Sequence, residues 1–191
     1  MVEILRDDND DAPDRRSRIL QGAGTAFLLY GFERTSMADI VAGTGVSRTA
    51  LYYYFAGKEE VLRAVVEELH ARTLRATTQA LENSQTLTEA LAGLLEAKFG
   101  RTLALLTDSP HGIELVDATH RITGPATRAA DDAFHALVVR AFVRHGRVEE
   151  ADAVADTLVA AAKGLMRSGD VLVSYARFKK RIHRLVTWVT K

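Results

Sequence analysis

The chain has 191 residues, with 25 Lys+Arg against 25 Asp+Glu for a formal net charge of +0, no Cys, 3 Pro and 47% hydrophobic residues. That length suits one or two compact domains with a substantial core, and the lack of Cys excludes disulfide frameworks, Cys-type zinc sites and thiol nucleophiles. No apolar stretch reaches the roughly 18–20 residues that span a bilayer, and the acidic start (MVEILRDDNDD) lacks the apolar run of a secretory signal, so a cytoplasmic protein with no membrane association is expected.

In chain order, residues 1–13 form an acidic arm, expected to be disordered and outside the fold, with Glu3, Asp7, Asp8, Asp10 and Asp11 against Arg6 for a net of −4. Residues 14–60 net +1 and residues 61–191 net +3. Overall neutrality argues weakly against a nucleic-acid binder, and the arm accounts for part of it. After the arm, Ile19, Ala23, Ala26, Phe27 and Tyr30 recur at steps of three and four and predict a helix from Pro13 to Tyr30. Val61, Val65, Leu69, Leu74 and Leu81 predict a long helix from Lys58 to Glu82. A further helix is marked by Leu87, Leu91, Leu94, Leu95, Phe99, Leu103 and Leu106. Phe134, Leu137, Val138, Ala141 and Phe142 predict one opened by Pro125, a favoured first-turn residue. Two more are predicted over 149–167 and 174–190. The fold class is all-α: a helix-turn-helix segment over 14–57, then a helical bundle over 58–191.

The informative stretch is Ser36 to Phe55. Ser36 followed three residues later by Asp39 has the form of a capping box, which starts a short helix. Thr44-Gly45-Val46 has the length and glycine content of a helix-turn-helix turn, and Ser47 suits the N-cap of the second helix. In that helix Leu51 and Phe55 share one face and pack inward on Ile40. Arg48, Thr49 and Tyr52 share another. A recognition helix enters the major groove by its N-terminal residues; Arg there reads guanine O6 and N7, and Thr offers a hydroxyl or a methyl to thymine. The hydroxyls of Tyr52 and Tyr54 suit phosphate oxygens, and Lys58 opens the next helix, where free amides favour an anion.

The matching residues Arg18-Ile19-Leu20, Ala26-Phe27, Gly31-Phe32, Thr35-Ser36-Met37, Asp39-Ile40, Gly45-Val46-Ser47, Leu51 to Phe55, Lys58-Glu59 and Val61-Leu62 make residues 15–62 resemble the TetR family of transcriptional repressors. The resemblance implies that Ser36, Met37, Ala38, Ser47, Arg48, Thr49, Ala50, Tyr52, Tyr54 and Lys58 face double-stranded DNA. Two positions depart from the family's pattern. Ala38 stands where relatives often carry a longer polar side chain, which puts a base contact there in doubt, and Gly57 where they often carry a better cap.

The resemblance also implies a homodimer on a palindromic operator, and a small-molecule effector that releases it. Ala153, Ala160, Ala161 and Gly164 of one late helix, with Phe178, Ile182, Leu185, Val186 and Val189 of the last, are the expected dimer interface. The expected effector pocket is mainly apolar: Leu95, Phe99, Leu103, Ile113, Val116, Phe134, Leu137 and Val138, with polar contacts from His111, His120 and Arg121. Such a lining suits a hydrophobic or aromatic ligand. Asp108 to Pro125 is the expected hinge.

Plainer readings apply to several residues. An aromatic run is more readily core than contact surface; the motif reverses this for Tyr52 and Tyr54, leaves Phe55 in the core, and leaves Tyr53 open. Arg15, Arg16 and Arg18, like Arg177, Lys179, Lys180, Arg181 and Arg184, read as solvated helix faces. His111, Glu114, Asp117 and His120 recur every third residue, but such steps drift around a helix, so all four cannot converge on one metal. No phosphate loop, repeated Glu-x-x-His pair or nucleophile with its base is present, so no catalytic residue, cofactor or enzyme activity is expected. The alternative to a DNA-binding regulator is a helical small-molecule-binding or interaction protein that does not read DNA.

Overall fold

A computed structural model describes residues 15–169 and 171–191. The acidic arm lies outside the described residues. In chain order the elements are α1 (Arg15–Tyr30), α2 (Met37–Thr44), α3 (Arg48–Tyr54), α4 (Lys58–Asn83), α5 (Leu87–Leu95), a π-helical turn (Glu96–Gly100), α6 (Arg101–Thr107), α7 (Gly112–Arg144), α8 (Ala151–Leu165), the strands β1 (Arg167–Ser168) and β2 (Val171–Leu172), and α9 (Tyr175–Val189). The strands form a minimal antiparallel hairpin pairing Arg167 with Leu172 and Ser168 with Val171. All-α is therefore the architecture, with this hairpin as a connector. None of the described helices is long and apolar enough to cross a membrane.

The chain divides into two compact units. The first is the described part of Met1–His70 together with Asp108–Thr127; the second is Ala71–Thr107 with Arg128–Lys191. The first unit thus holds the first half of α4 and the start of α7 together with the helix-turn-helix. In the first unit Ile19, Leu20, Ala23 and Phe27 of α1 are buried with Phe32, Ile40, Leu51, Phe55, Val61 and Leu62. The Phe27 and Phe32 ring centroids are 5.5 Å apart. α1 and α2 cross closely because Gly22 has no side chain: a Cβ there would come within 2.4 Å of Thr44 Cγ2 and 3.0 Å of the Gly43 carbonyl oxygen.

The second unit has one apolar core, drawn from Leu91, Leu94 and Leu95 of α5, Phe99, Leu103, Phe134, Val138 and Phe142, Leu158 and Ala162 of α8, and Phe178, Ile182 and Val186 of α9. Phe99 meets Phe134 edge-on at 5.6 Å and Phe178 at 6.5 Å. Lys98 lies beside this core, its ammonium 2.9 Å from Asp131 and over the Phe134 ring.

Two sequence expectations are corrected. Pro125 does not open a helix; it sits inside the 33-residue α7. It lacks an N–H, so it withdraws the donor that the Arg121 carbonyl would receive, and α7 continues across this gap, with the Thr123 hydroxyl bonding back to the Thr119 carbonyl at 2.8 Å. The helix expected over Leu87 to Leu106 is interrupted at Glu96–Gly100 by the π turn, which an apolar pattern of three- and four-residue steps does not distinguish from regular helix.

Candidate nucleic-acid interface

α2 begins where Ser36 accepts from the Asp39 amide while the Asp39 carboxylate accepts from the Ser36 amide at 2.8 Å and from its hydroxyl at 2.6 Å. This box, complete on both sides, holds the Asp39 carboxyl below its ordinary range, through the Ser36 hydroxyl first and the Ser36 amide second. α2 ends at Gly45, whose φ of 65° is the left-handed cap conformation that glycine adopts without Cβ strain. Val46 is buried in the turn and Ser47 caps α3, its side chain accepting from the Ala50 amide at 3.1 Å.

α3 is two-faced. Leu51 is fully buried and Phe55 nearly so, while Arg48, Thr49 and Tyr52 are exposed. The Arg48 guanidinium lies 5.6 Å from the Tyr52 ring centroid, a cation–π contact that narrows the positions the arginine samples. Tyr53 is the most open of the aromatic run at 84% exposure, against 44% for Tyr52 and 36% for Tyr54. It stands edge-on to Tyr54 at 5.3 Å. Tyr53 is thus a surface residue, a point that the mixed aromatic pattern left open.

The remaining expected DNA contacts fall into different settings. Ser36 uses its hydroxyl both to donate and to accept within the capping box. Ser47 only accepts, which leaves its O–H able to donate outward. Ala38 is exposed, whereas Met37 and Ala50 are half-buried. The Lys58 ammonium donates to the carbonyl oxygens of Phe32 at 3.0 Å and Glu33 at 2.8 Å and stands over the Phe32 ring at 4.7 Å. Two of its three N–H groups therefore serve the turn between α1 and α2. Arg15, Arg16 and Arg18 are exposed at the start of α1.

The residues expected to form the effector pocket fall in both units. Leu95, Phe99, Leu103, Phe134 and Val138 are buried in the core of the second, with Leu137 packed partly against them. His111, Ile113, Val116, His120 and Arg121 belong to the first, where Ile113 is 47% exposed. The second unit carries instead an open groove of about 850 Å³ between α5 and α9, lined by residues that include Ala92, Glu96, Lys179, His183, Thr187 and Trp188. Beside it the Glu96 carboxylate accepts from the Tyr175 hydroxyl and from Lys179. These donors together hold the Glu96 carboxyl below its ordinary value against the opposing effect of partial burial. Among the described residues no His, Asp and Glu group is arranged to hold a metal.

The expected dimer residues also separate. Phe178, Ile182 and Val186, spaced four apart, point into the core of their own unit, so they are not free to face a second copy. Leu185 and Val189 are half-buried. Ala153, Ala160 and Gly164 form an exposed, slim face of α8, with Ala161 half-buried beside it. Spacing shows that a face of α9 is apolar but not which neighbour covers it.

Residues 19–65 match the family described as bacterial regulatory proteins, tetR family. The chain is 36% identical over 67 residues to the HTH-type transcriptional regulator TtgR of Pseudomonas putida, covering 35% of this chain and 32% of that protein. It is 32% identical over 87 residues to the HTH-type transcriptional repressor AcnR of Corynebacterium glutamicum, covering 46% and 44%. The chain thus spans about a third to a half of the length of these curated relatives. The structure of the TetR family transcriptional regulator PfmR from Thermus thermophilus is similar in fold along most of the chain, with a TM-score of 0.64, 21% identity, and coverage of 88% of this chain and 96% of that one.

Proposed function

We propose that this chain, whose residues 19–65 match the tetR family of bacterial regulatory proteins, is a dimeric transcriptional repressor that reads a palindromic operator and is released by a small, mainly hydrophobic ligand. The observation that carries the DNA-reading part is the division of α3, with Leu51 and Phe55 buried and Arg48, Thr49 and Tyr52 exposed. An exposed Arg and Thr at the N-terminal end of the second helix of a helix-turn-helix are placed to meet base edges in the major groove. Tyr52, Tyr54 and the free donor of Ser47 supply phosphate contacts that set register.

DNA reading is assigned to residues 14–57, and effector binding and dimerisation to residues 58–191. A two-fold dimer would set two copies of α3 about one helical turn of DNA apart, roughly 34 Å, which accounts for a palindromic site. The exposed small-residue face of α8 supports close approach of a second copy. A ligand releases the operator only if it binds the DNA-incompetent state more tightly, with a coupling of about 1–3 kcal/mol that acts in both directions. Repression follows the role named for the Corynebacterium relative. The test is selection of bound sites from genomic DNA by the purified chain. A palindromic consensus supports the reading, and a lack of salt-dependent DNA binding overturns it.

A further inference from the structure

The turn between α1 and α2 is held from outside the helix-turn-helix by side chains at the start of α7. Gly31 ends α1 with φ +81°, and the place where its Cβ would stand is filled by the Glu114 carboxylate, whose oxygens lie 2.6 and 2.7 Å from that point. Glu114 Oε1 also accepts from the Glu33 amide at 3.3 Å. Arg121 donates to the Glu33 carboxylate at 2.7 Å. Arg34 reaches the His111 ring, 3.0 Å from Nδ1 and 3.2 Å from Nε2, and His111 Nδ1 stands 3.3 Å from Glu114. Just before α7, the Ser109 hydroxyl donates to the Leu28 carbonyl at 2.7 Å.

We propose that Glu114 and Arg121 of α7, with His111 just before it, are positioning residues for operator recognition: they fix the α1–α2 turn, and through it the setting of α2 and α3, without touching DNA. This rests on the DNA-reading function above. Three features carry it. The contacts converge on the four residues Gly31 to Arg34, and Ser36, the N-cap of α2, follows two residues later. A small displacement of this turn is therefore passed directly to the axis of α2 and the helix packed on it. The opposite side of the same turn is held by Lys58 through the Phe32 and Glu33 carbonyls, so the turn is gripped from α4 and α7 together. Finally, Glu33 and Arg121 are 61% and 64% exposed, and exposed ion pairs add little to folding stability. What such a pair does supply is a geometric preference, which matters where base edges must be met within tenths of an ångström.

The test uses the full chain and the operator obtained by selection. The variants are Arg121→Glu, Glu33→Arg and the double charge swap, each measured for operator affinity, for affinity to unrelated duplex of the same length, and for melting temperature. Arg121→Glu is expected to lower the ratio of operator to non-specific affinity by roughly 3- to 30-fold, with a melting temperature close to that of the parent. The double swap is expected to restore most of the ratio, which a change of net charge alone does not do. Unchanged discrimination in Arg121→Glu, or a double swap no better than the worse single variant, overturns the proposal. If the parent chain itself does not discriminate operator from unrelated DNA, the DNA-reading function falls and this proposal with it, so the two failures are told apart by the parent.

Discussion

The Lys58 ammonium bonds the Phe32 carbonyl oxygen at 3.0 Å and stands 4.7 Å from the centre of the same residue's ring. One side chain at the start of α4 thereby satisfies the end of α1 and covers an aromatic that is 2% exposed. The cation is a structural clip first, and only its third N–H is available to a phosphate.

Lys58→Met is accordingly expected to cost about 1–2 kcal/mol of stability, since it removes hydrogen bonds from a charged donor to two carbonyls. Chemical denaturation measures that loss. The salt dependence of DNA binding separates the second role: a phosphate contact is shown by a slope shallower by about one, whereas an unchanged slope confines Lys58 to the clip.

Arg48 has the opposite profile. It is exposed and its neighbour is the Tyr52 ring, so Arg48→Ala is expected to leave the melting temperature near that of the parent. It should cost about 1–3 kcal/mol of discrimination at the base pair it reads. Titration of the operator and of single-base variants of it decides the matter; equal losses across all sequences would make Arg48 a phosphate contact.

Gly22 tests the helix crossing. A Cβ there meets Thr44 Cγ2 at 2.4 Å and a carbonyl oxygen at 3.0 Å, and the backbone partner cannot turn away as a side chain can. Gly22→Ala is expected to destabilise the first unit by about 1–3 kcal/mol despite the better helix propensity of alanine. A neutral or stabilised variant in thermal melts would show that α2 slides on α1 at little cost.

Acid sensitivity should include the capping box and the turn. Asp39 is held below its ordinary 3.8 by the Ser36 hydroxyl and amide, and Glu33 below 4.5 by the hydrogen bond from Arg121. A carboxyl depressed in the folded state contributes stability above its unfolded value and loses it as pH falls through that value toward the folded one. Stability should therefore fall with pH below the ordinary carboxylate range, and Asp39→Asn should flatten part of that slope in denaturant titrations at successive pH values. A slope identical to the parent's would remove Asp39 as a contributor.

The acidic arm supplies an electrostatic prediction. Residues 1–13 carry a net of −4 while residues 14–60 carry only +1. Deleting the arm should strengthen non-specific DNA binding at low salt and have less effect as salt rises. No change at low salt would show its charge to be irrelevant to DNA.

Much of the helix-turn-helix was legible in the sequence because its signals are local. Ser36 with Asp39, Gly45 and Ser47 act within three residues of themselves, and the caps they form are present. The separation of Leu51 and Phe55 from Arg48, Thr49 and Tyr52 follows from helical spacing alone. Tyr53 was ambiguous because a mixed aromatic run does not identify its outward member. The positioning role of Glu114 and Arg121 left no local signal, since their partners Gly31 and Glu33 lie more than eighty residues away.

The sequence by itself thus determined an all-helical chain, the helix-turn-helix and the face of α3 open to a partner, because capping and helical periodicity act over one or two turns. Tertiary structure alone decided where long-range partners meet. It turned Phe178, Ile182 and Val186 into the core of their own unit, occupied the Lys58 ammonium with backbone carbonyls, and carried α7 through Pro125. Each of these depends on which surface covers an apolar face or satisfies a polar group, and periodicity shows only that the face or group exists.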